Sequence, residues 1–346
     1  MPKVLMGTRA ARMGEIADAL ERNGVEVVIV PRRAPAGEFQ YPDAEEIEKY
    51  WSTADGFVFT GRDMVTREAL AGAPNLRIGA SSIIGTENID VQAATELGIA
   101  IGFGATPENM LGVAESVVMS IVALVKKLPL KWGAMQSGGY RVDDPGKLVM
   151  NSTIGLIGFG NIGRAVDKRL QGWDTTIIAA DPYVDPQLAR DLNTELVDLD
   201  TLLKRADVVS IMVVLNDETR HLIGARELAL MKPGAYLINT SRGGAIDEPE
   251  LIKALDGKLG GAAIDVWEAE PVRPDHPLRT HPKVIATAHN IGHSDEVYAS
   301  LGPAAVENIL RGLRGETPLH FRNPSVLPAW HERLQRLGVE PMKVAP

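Results

Sequence analysis

The sequence contains no cysteine. Disulfide frameworks, thiolate nucleophiles and cysteine-ligated zinc are excluded together, in keeping with a reducing, cytoplasmic setting. Positive charge is also in short supply: 36 lysines and arginines stand against 45 aspartates and glutamates, a net charge of −9. Such a chain repels nucleic-acid phosphates and anionic lipid headgroups on average, so neither is expected as a partner. The N-terminal stretch 1–30 lacks the apolar block of a secretory signal, because Arg9, Arg12, Glu15, Asp18 and Glu21 interrupt it, and the chain reads as starting at Met1. Long apolar runs are missing elsewhere; even 117–125 is short and contains Ser120, so no membrane span is expected. Short-period repeats and low-complexity tracts are absent as well.

What is present is the mix of a soluble globular protein, 45% hydrophobic and 23% charged over 346 residues, enough for two domains with a core each. Strand-like runs at 3–6, 25–30, 56–59, 76–79 and 99–101, with an amphipathic segment at 16–20, predict a first parallel sheet. Between Pro107 and Lys127, Leu111, Ala114, Val118, Ile121, Val122 and Val125 mark one face of a long helix that leads into a second domain and ends at Pro129. A second series follows at 153–157, 176–180, 208–214, 235–239, 262–264 and 284–286, predicting a doubly wound sheet of six strands. A helix at 295–313 and a tail punctuated by Pro318, Pro324 and Pro328 close the chain.

Gly158-Phe159-Gly160-Asn161-Ile162-Gly163 lies between the strand 153–157 and a helical segment at 164–170, the context a dinucleotide fingerprint requires. Gly158 permits the tight turn, Gly160 lets the backbone approach a pyrophosphate, and Gly163 lets helix and strand pack closely. Asp181 ends the next strand at the distance where an acid accepts the adenosine ribose hydroxyls, which favours NAD over NADP. A glycine-rich turn in another nucleotide fold, such as a methyltransferase, is the competing reading.

Ligands of doubly wound sheets bind outside the carboxyl ends of the strands, so the polar residues there are the ones that matter. Three late strands run into Thr240-Ser241-Arg242, Asp265 and His289. Histidine suits proton transfer to a developing alkoxide at neutral pH, and arginine presents a planar fork to a carboxylate. Of seven histidines, His221, His276, His281, His320 and His331 read mostly as surface residues, which leaves His289 with His293 as its rival. Glu270 or Glu268 is the acid available to hydrogen-bond the imidazole. Arg9 and Arg62 follow first-domain strands and are candidates for selecting an extra anionic group on a substrate.

The fingerprint, the run 240–247, the segment 265–271 and Thr287-Ala288-His289 together resemble the D-isomer-specific 2-hydroxyacid dehydrogenase family, as do Asn88-Ile89-Asp90 and 218–223. The resemblance implies an α/β fold of two Rossmann-like or flavodoxin-like parallel-sheet domains with a cleft between them that closes over substrate. It implies a substrate domain of 1–106 plus about 293–346, with an NAD-binding domain at 107–292 inserted in it. It further implies interconversion of a D-2-hydroxy acid and its 2-oxo acid, with Arg242 binding substrate, His289 as acid/base, and Glu270 keeping the imidazole protonated. Asp265 then holds the nicotinamide carboxamide, and backbone amides near Ile84 and Gly85 contact substrate. The implied cofactor set is Gly158, Gly160, Asn161, Ile162, Gly163, Asp181, Thr240, Ser241, Arg242, Asp265, His289 and Gly292; no metal is expected. The helix at 107–127 resembles the family's dimerisation element, which implies a homodimer. Ala288 and Val214 stand where relatives often carry proline, and 81–85 is poorer in glycine than usual. An NAD(H)-sensing interaction protein and a formate- or phosphite-oxidising dehydrogenase remain the alternatives.

Overall fold

Short β-branched and apolar runs, two to five residues long, form the strands of two all-parallel sheets. The computed structural model describes residues 1–35 and 38–340. The chain divides into two compact units, Met1–Asn109 with Ser294–Pro346, and Met110–His293. Positions 341–346 of the expected first domain lie outside the described residues.

The first unit contains β1 (Lys3–Met6), β2 (Glu26–Ile29), β3 (Gly56–Phe59), β4 (Ile78–Ser81) and β5 (Ala100–Gly102), ordered β2-β1-β3-β4-β5. Strands β3 and β4 are wholly buried, as expected of a parallel sheet covered on both faces. One face packs on the helices Arg12–Arg22, Asp295–Arg314 and Leu327–Arg336, the other on Trp51, Leu70, Ala93 and their neighbours. The C-terminal segment belongs to this unit for concrete reasons. Trp330 is fully buried and donates to the Arg77 carbonyl, while the buried Arg333 guanidinium donates to the carbonyls of Leu76, Leu97, Ala73 and Pro74. Burial pushes the Arg333 guanidinium down to about 10. The tail that reads as proline-punctuated is thus largely helical from Leu327 to Arg336, with a proline in the first turn where no N–H is needed.

The second unit contains β6 (Thr153–Ile157), β7 (Thr176–Ala180), β8 (Glu195–Leu196), β9 (Val208–Ile211), β10 (Tyr236–Asn239), β11 (Gly261–Ile264) and β12 (Val284–Ala286), ordered β12-β11-β10-β9-β6-β7-β8. There are seven strands, not six; the extra one, β8, is two residues long and too short to show periodicity. Strand β9 ends at Ile211, before the expected 214: Val213 still packs partly buried against the core, but Val214 is exposed.

Two further expectations are corrected at the junction. The long helix spans Pro107–Val125 and stops at Lys127, whose backbone is left-handed (φ 58°); Pro129 instead opens a second helix, Leu128–Gln136. The helix Pro107–Val125 is also long and apolar enough to cross a membrane by length and composition, contrary to the count based on 117–125 alone. Its Ala114, Val117, Ile121, Leu124 and Val125 are spent on the core of the second unit, against Ile154, Leu156 and Ile238.

Candidate active site

In the second unit the sheet order reverses between β6 and β9, and the glycine-rich turn sits there, at the carboxyl ends where open α/β sheets bind ligands. Gly158 has φ +91°, and a Cβ on it would lie 2.6 Å from the Met212 carbonyl oxygen, so only glycine fits the turn. The helix Asn161–Leu170 begins at Gly160 without a side-chain cap. A Cβ on Gly160 would meet nothing within 4 Å, which leaves the positive helix end open to an anion. Asp181 is immobilised by three backbone amides: Oδ2 accepts from Phe159 N–H at 2.8 Å, and Oδ1 from Tyr183 and Val184 N–H at 2.9 and 3.2 Å. Its carboxylate is held at the end of β7 as an acceptor. Thr240, just past β10, has a buried hydroxyl with no partner among the described residues. An open helix end, a fixed acid and an orphaned hydroxyl are the complement of a dinucleotide.

Past β11 and β12 the chain brings its titratable groups together. Asp265 Oδ1 accepts from the Thr287 hydroxyl and from the Asn290 and Ile291 amides, and the Asp265 carbonyl accepts from His289 N–H at 2.7 Å. That cage holds His289 in a left-handed backbone conformation, φ +56°. Its Nδ1 lies 3.0 and 2.8 Å from the two carboxylate oxygens of Glu270. Burial works to raise the Glu270 carboxyl. The His289 hydrogen bond and charge, the Trp267 amide and the Arg242 guanidinium outweigh it and hold the group below the ordinary carboxylate value.

Arg242 is the third member. Asn239, 1% exposed at the end of β10, donates to the Arg242 carbonyl at 2.9 Å and accepts from Ser241, fixing the loop from which the guanidinium projects. Arg242 Nη1 donates to the Ser241 carbonyl at 2.7 Å.

The competition between Glu268 and Glu270 is resolved by geometry: Glu268 pairs with His221 at 2.7 Å, in solvent. The His293 amide closes a turn onto the Asn290 carbonyl, and it is His289, not His293, that meets Glu270. The surface reading of His276 and His281 is corrected, since their side chains are only 16% and 12% exposed. His276 reaches Glu248 at 3.1 Å, and the other oxygen of Glu248 accepts from Glu268 N–H at 2.8 Å. This brace under the Glu270 loop was not visible in the sequence; Asp247 caps the helix that carries Glu248 by accepting from Glu250 N–H. Gly292 is packed against Val113, where a Cβ would meet the Val113 amide nitrogen at 3.1 Å.

In the first unit, Ile84 and Gly85 lie in the loop after β4. Ser81 Oγ accepts from Ile83 N–H at 3.1 Å, whereas the Ile84 and Gly85 amides donate to nothing among the described residues. Arg9 is paired with Asp18 and Glu21, and Arg62 lies 5.3 Å from the centre of the Phe39 ring.

Residues 118–290 match the family model of the D-isomer specific 2-hydroxyacid dehydrogenase NAD-binding domain. The chain belongs to this family. It is 35% identical over 300 residues to a glyoxylate reductase of Thermofilum pendens, covering 83% of this chain and 86% of the relative. It is 36% identical over 296 residues to a D-3-phosphoglycerate dehydrogenase of Methanocaldococcus jannaschii, covering 85% of this chain but only 56% of that relative's length. Among solved structures, an NAD-dependent formate dehydrogenase of Staphylococcus aureus in complex with NAD superposes with a TM-score of 0.74 at 26% identity, over 90% of this chain and 95% of that one. The two parallel-sheet domains and the NAD-binding unit of this dehydrogenase family are therefore present.

Proposed function

We propose that the protein is an NAD-dependent oxidoreductase that interconverts a D-2-hydroxy acid and its 2-oxo acid. The observation that carries this reading is the His289–Glu270 pair beside Arg242, past the carboxyl ends of β10, β11 and β12 in the parallel sheet whose β6 ends in the dinucleotide turn. Gly158, Gly160, Asn161, Ile162 and Gly163 form the pyrophosphate cradle, and Asp181 takes the ribose hydroxyls. Thr240 and Ser241 line the nicotinamide side together with Asp265 and Gly292. NADH, when bound, supplies the hydride.

The protein's own task is binding and proton transfer. With Nδ1 committed to Glu270, the imidazole keeps Nε2 for the substrate oxygen and delivers a proton there as negative charge develops. Glu270 fixes the ring through Nδ1, and Arg242 offers two parallel N–H donors to the substrate carboxylate and the adjacent carbonyl. In oxidation the same imidazole takes the hydroxyl proton. The amides of Ile84 and Gly85 are further candidate donors to a carboxylate.

The substrate best supported is a small 2-oxo acid of the glyoxylate or hydroxypyruvate type. Of the arginines past β1 and β2, Arg9, Arg32 and Arg33 have acidic partners already, Asp18 and Glu21, Asp63, and Asp43 with Glu46, and Arg12 lies 3.4 Å from the centre of the Tyr298 ring. A phosphorylated substrate would have to break such pairs. Apolar side chains exposed on the helices Pro107–Val125 and Leu128–Gln136, among them Leu111, Met119, Leu128, Trp132 and Met135, fit a second copy of this chain, and a homodimer is part of the proposal. Sedimentation that returns a monomer at micromolar concentration removes that part.

NADH oxidation against glyoxylate, hydroxypyruvate, pyruvate, phenylpyruvate and phosphohydroxypyruvate, with formate and phosphite tested with NAD, checks the whole reading. Turnover with a 2-oxo acid that His289→Asn abolishes while NADH binding persists is expected. No turnover with any 2-oxo acid despite tight NADH binding would sink it.

A further inference from the structure

We infer that Arg322 is a positioning residue for the substrate carboxylate, pinning and polarising the peptide that joins Ile84 to Gly85. The inference rests on the function proposed above and adds to it a residue from the C-terminal segment, far from any recognised motif.

In a trans peptide the C=O and N–H point in opposite directions, so whatever grips a carbonyl aims the amide of the following residue. The Ile84 N–H shares its peptide with the Ile83 carbonyl, which accepts from Gly104 N–H at 2.9 Å. The Gly85 N–H shares its peptide with the Ile84 carbonyl, which accepts from Arg322 Nη2 at 3.1 Å. Both peptides are therefore held by their oxygens, and both amides are turned the other way. The two grips differ in strength. A neutral backbone amide holds the first peptide, whereas a guanidinium holds the second, and a charge-assisted bond to a carbonyl makes the N–H at the far end of the same peptide a better donor. Gly85 is thus equipped to hold an anion.

Arg322 is itself well anchored. Its Nε donates to the Thr86 hydroxyl at 3.2 Å, and its guanidinium lies 4.3 Å from the centre of the Phe103 ring. Its backbone amide donates to the Ile101 carbonyl at 2.7 Å, next to the bridge that joins Phe321 to Gly102 at the edge of β5. Asn323, 4% exposed, fastens the same strip by accepting from Ile101 N–H and donating to the Ile99 carbonyl. The guanidinium therefore reaches the loop after β4 from a rigid base. Lysine in its place would keep the charge but could not hold Ile84, Thr86 and the Phe103 face together.

The test uses the full-length enzyme with NADH and the best 2-oxo acid, comparing the parent with Arg322→Met, Arg322→Lys and Thr86→Val. The readouts are KM, kcat, the inhibition constant of oxamate, a 2-oxo acid mimic that cannot be reduced, and the NADH dissociation constant. Arg322→Met is expected to raise KM and the oxamate constant together by roughly tenfold or more, with NADH affinity unchanged within about twofold. Arg322→Lys should recover part of the loss, and Thr86→Val should move both constants the same way by less. If the methionine variant fails to fold, the lysine and valine variants decide the matter. Unchanged KM and oxamate constants in a folded variant of an active enzyme overturn this inference alone, as does a loss of NADH affinity as large as the loss of substrate affinity. A parent that turns over no 2-oxo acid overturns it together with the proposed function.

Discussion

Gly243 and Trp267 are in backbone contact: a Cβ on Gly243 would lie 1.9 Å from the Trp267 carbonyl carbon. One residue before that contact is Arg242, and three residues after it is Glu270. The close approach is what lets the arginine loop and the carboxylate loop share one site. Gly243→Ala must push the two loops apart, and a loss of about 3 kcal/mol in urea unfolding together with collapse of turnover is expected. A fully active, equally stable alanine variant would show that the loops adjust independently.

Glu270 links catalysis to acid stability. Its folded carboxyl sits below the ordinary 4.5, so its contribution is complete above that value and is lost as pH falls through the lower, folded one. As pH falls below the ordinary carboxylate value of 4.5 the parent should lose more unfolding free energy than Glu270→Gln, which has no carboxyl to protonate. The same variant should reduce substrate about a hundredfold more slowly at neutral pH, because the imidazole loses its charged acceptor. Parallel pH curves for parent and variant would contradict the first expectation.

Asp181 should decide which dinucleotide binds. Three amides prevent its carboxylate from swinging aside, so a 2′-phosphate would meet a fixed negative charge. Asp181→Ala is expected to weaken NADH binding about tenfold to a hundredfold and to narrow the gap to NADPH. Fluorescence titration with both cofactors measures this, and an unchanged NADH constant would exclude the role.

Trp330 carries the C-terminal segment into the first unit. Trp330→Ala should cost about 3 to 5 kcal/mol, since a fully buried indole and its hydrogen bond to the Arg77 carbonyl are both lost. Calorimetry that showed no change in the unfolding transition would contradict that packing role.

The parts of this molecule that were legible beforehand share a property: their signal is local. Gly158 through Gly163 stands between an apolar strand and a helix, and β1, β3, β6, β7 and β12 coincide with the apolar runs that announce them. The missing parts depend on partners distant in sequence. Pro129, Pro324 and Pro328 look like interruptions although prolines of this kind open helices. Val213 and Val214 prolong an apolar run beyond the strand that contains it. At the site, Arg242 and His289 could be picked out by position and Glu270 by the family resemblance, whereas spacing alone leaves Glu268 open until its pairing with His221 is seen. The Glu248–His276 brace and the grip of Arg322 on Ile84 join residues 28 and 238 positions apart, beyond the reach of any spacing rule.

The left-handed backbone at His289 restricts what inheritance can do with that position. Glycine, asparagine, aspartate and histidine adopt this conformation most readily, and of these histidine is the one suited to proton transfer near neutrality. Asparagine and aspartate each lie a single nucleotide from a histidine codon. A lineage that dropped the chemistry could therefore keep the turn, the fold and the dinucleotide site intact, so that a silent descendant of this enzyme is separated from it by one point mutation.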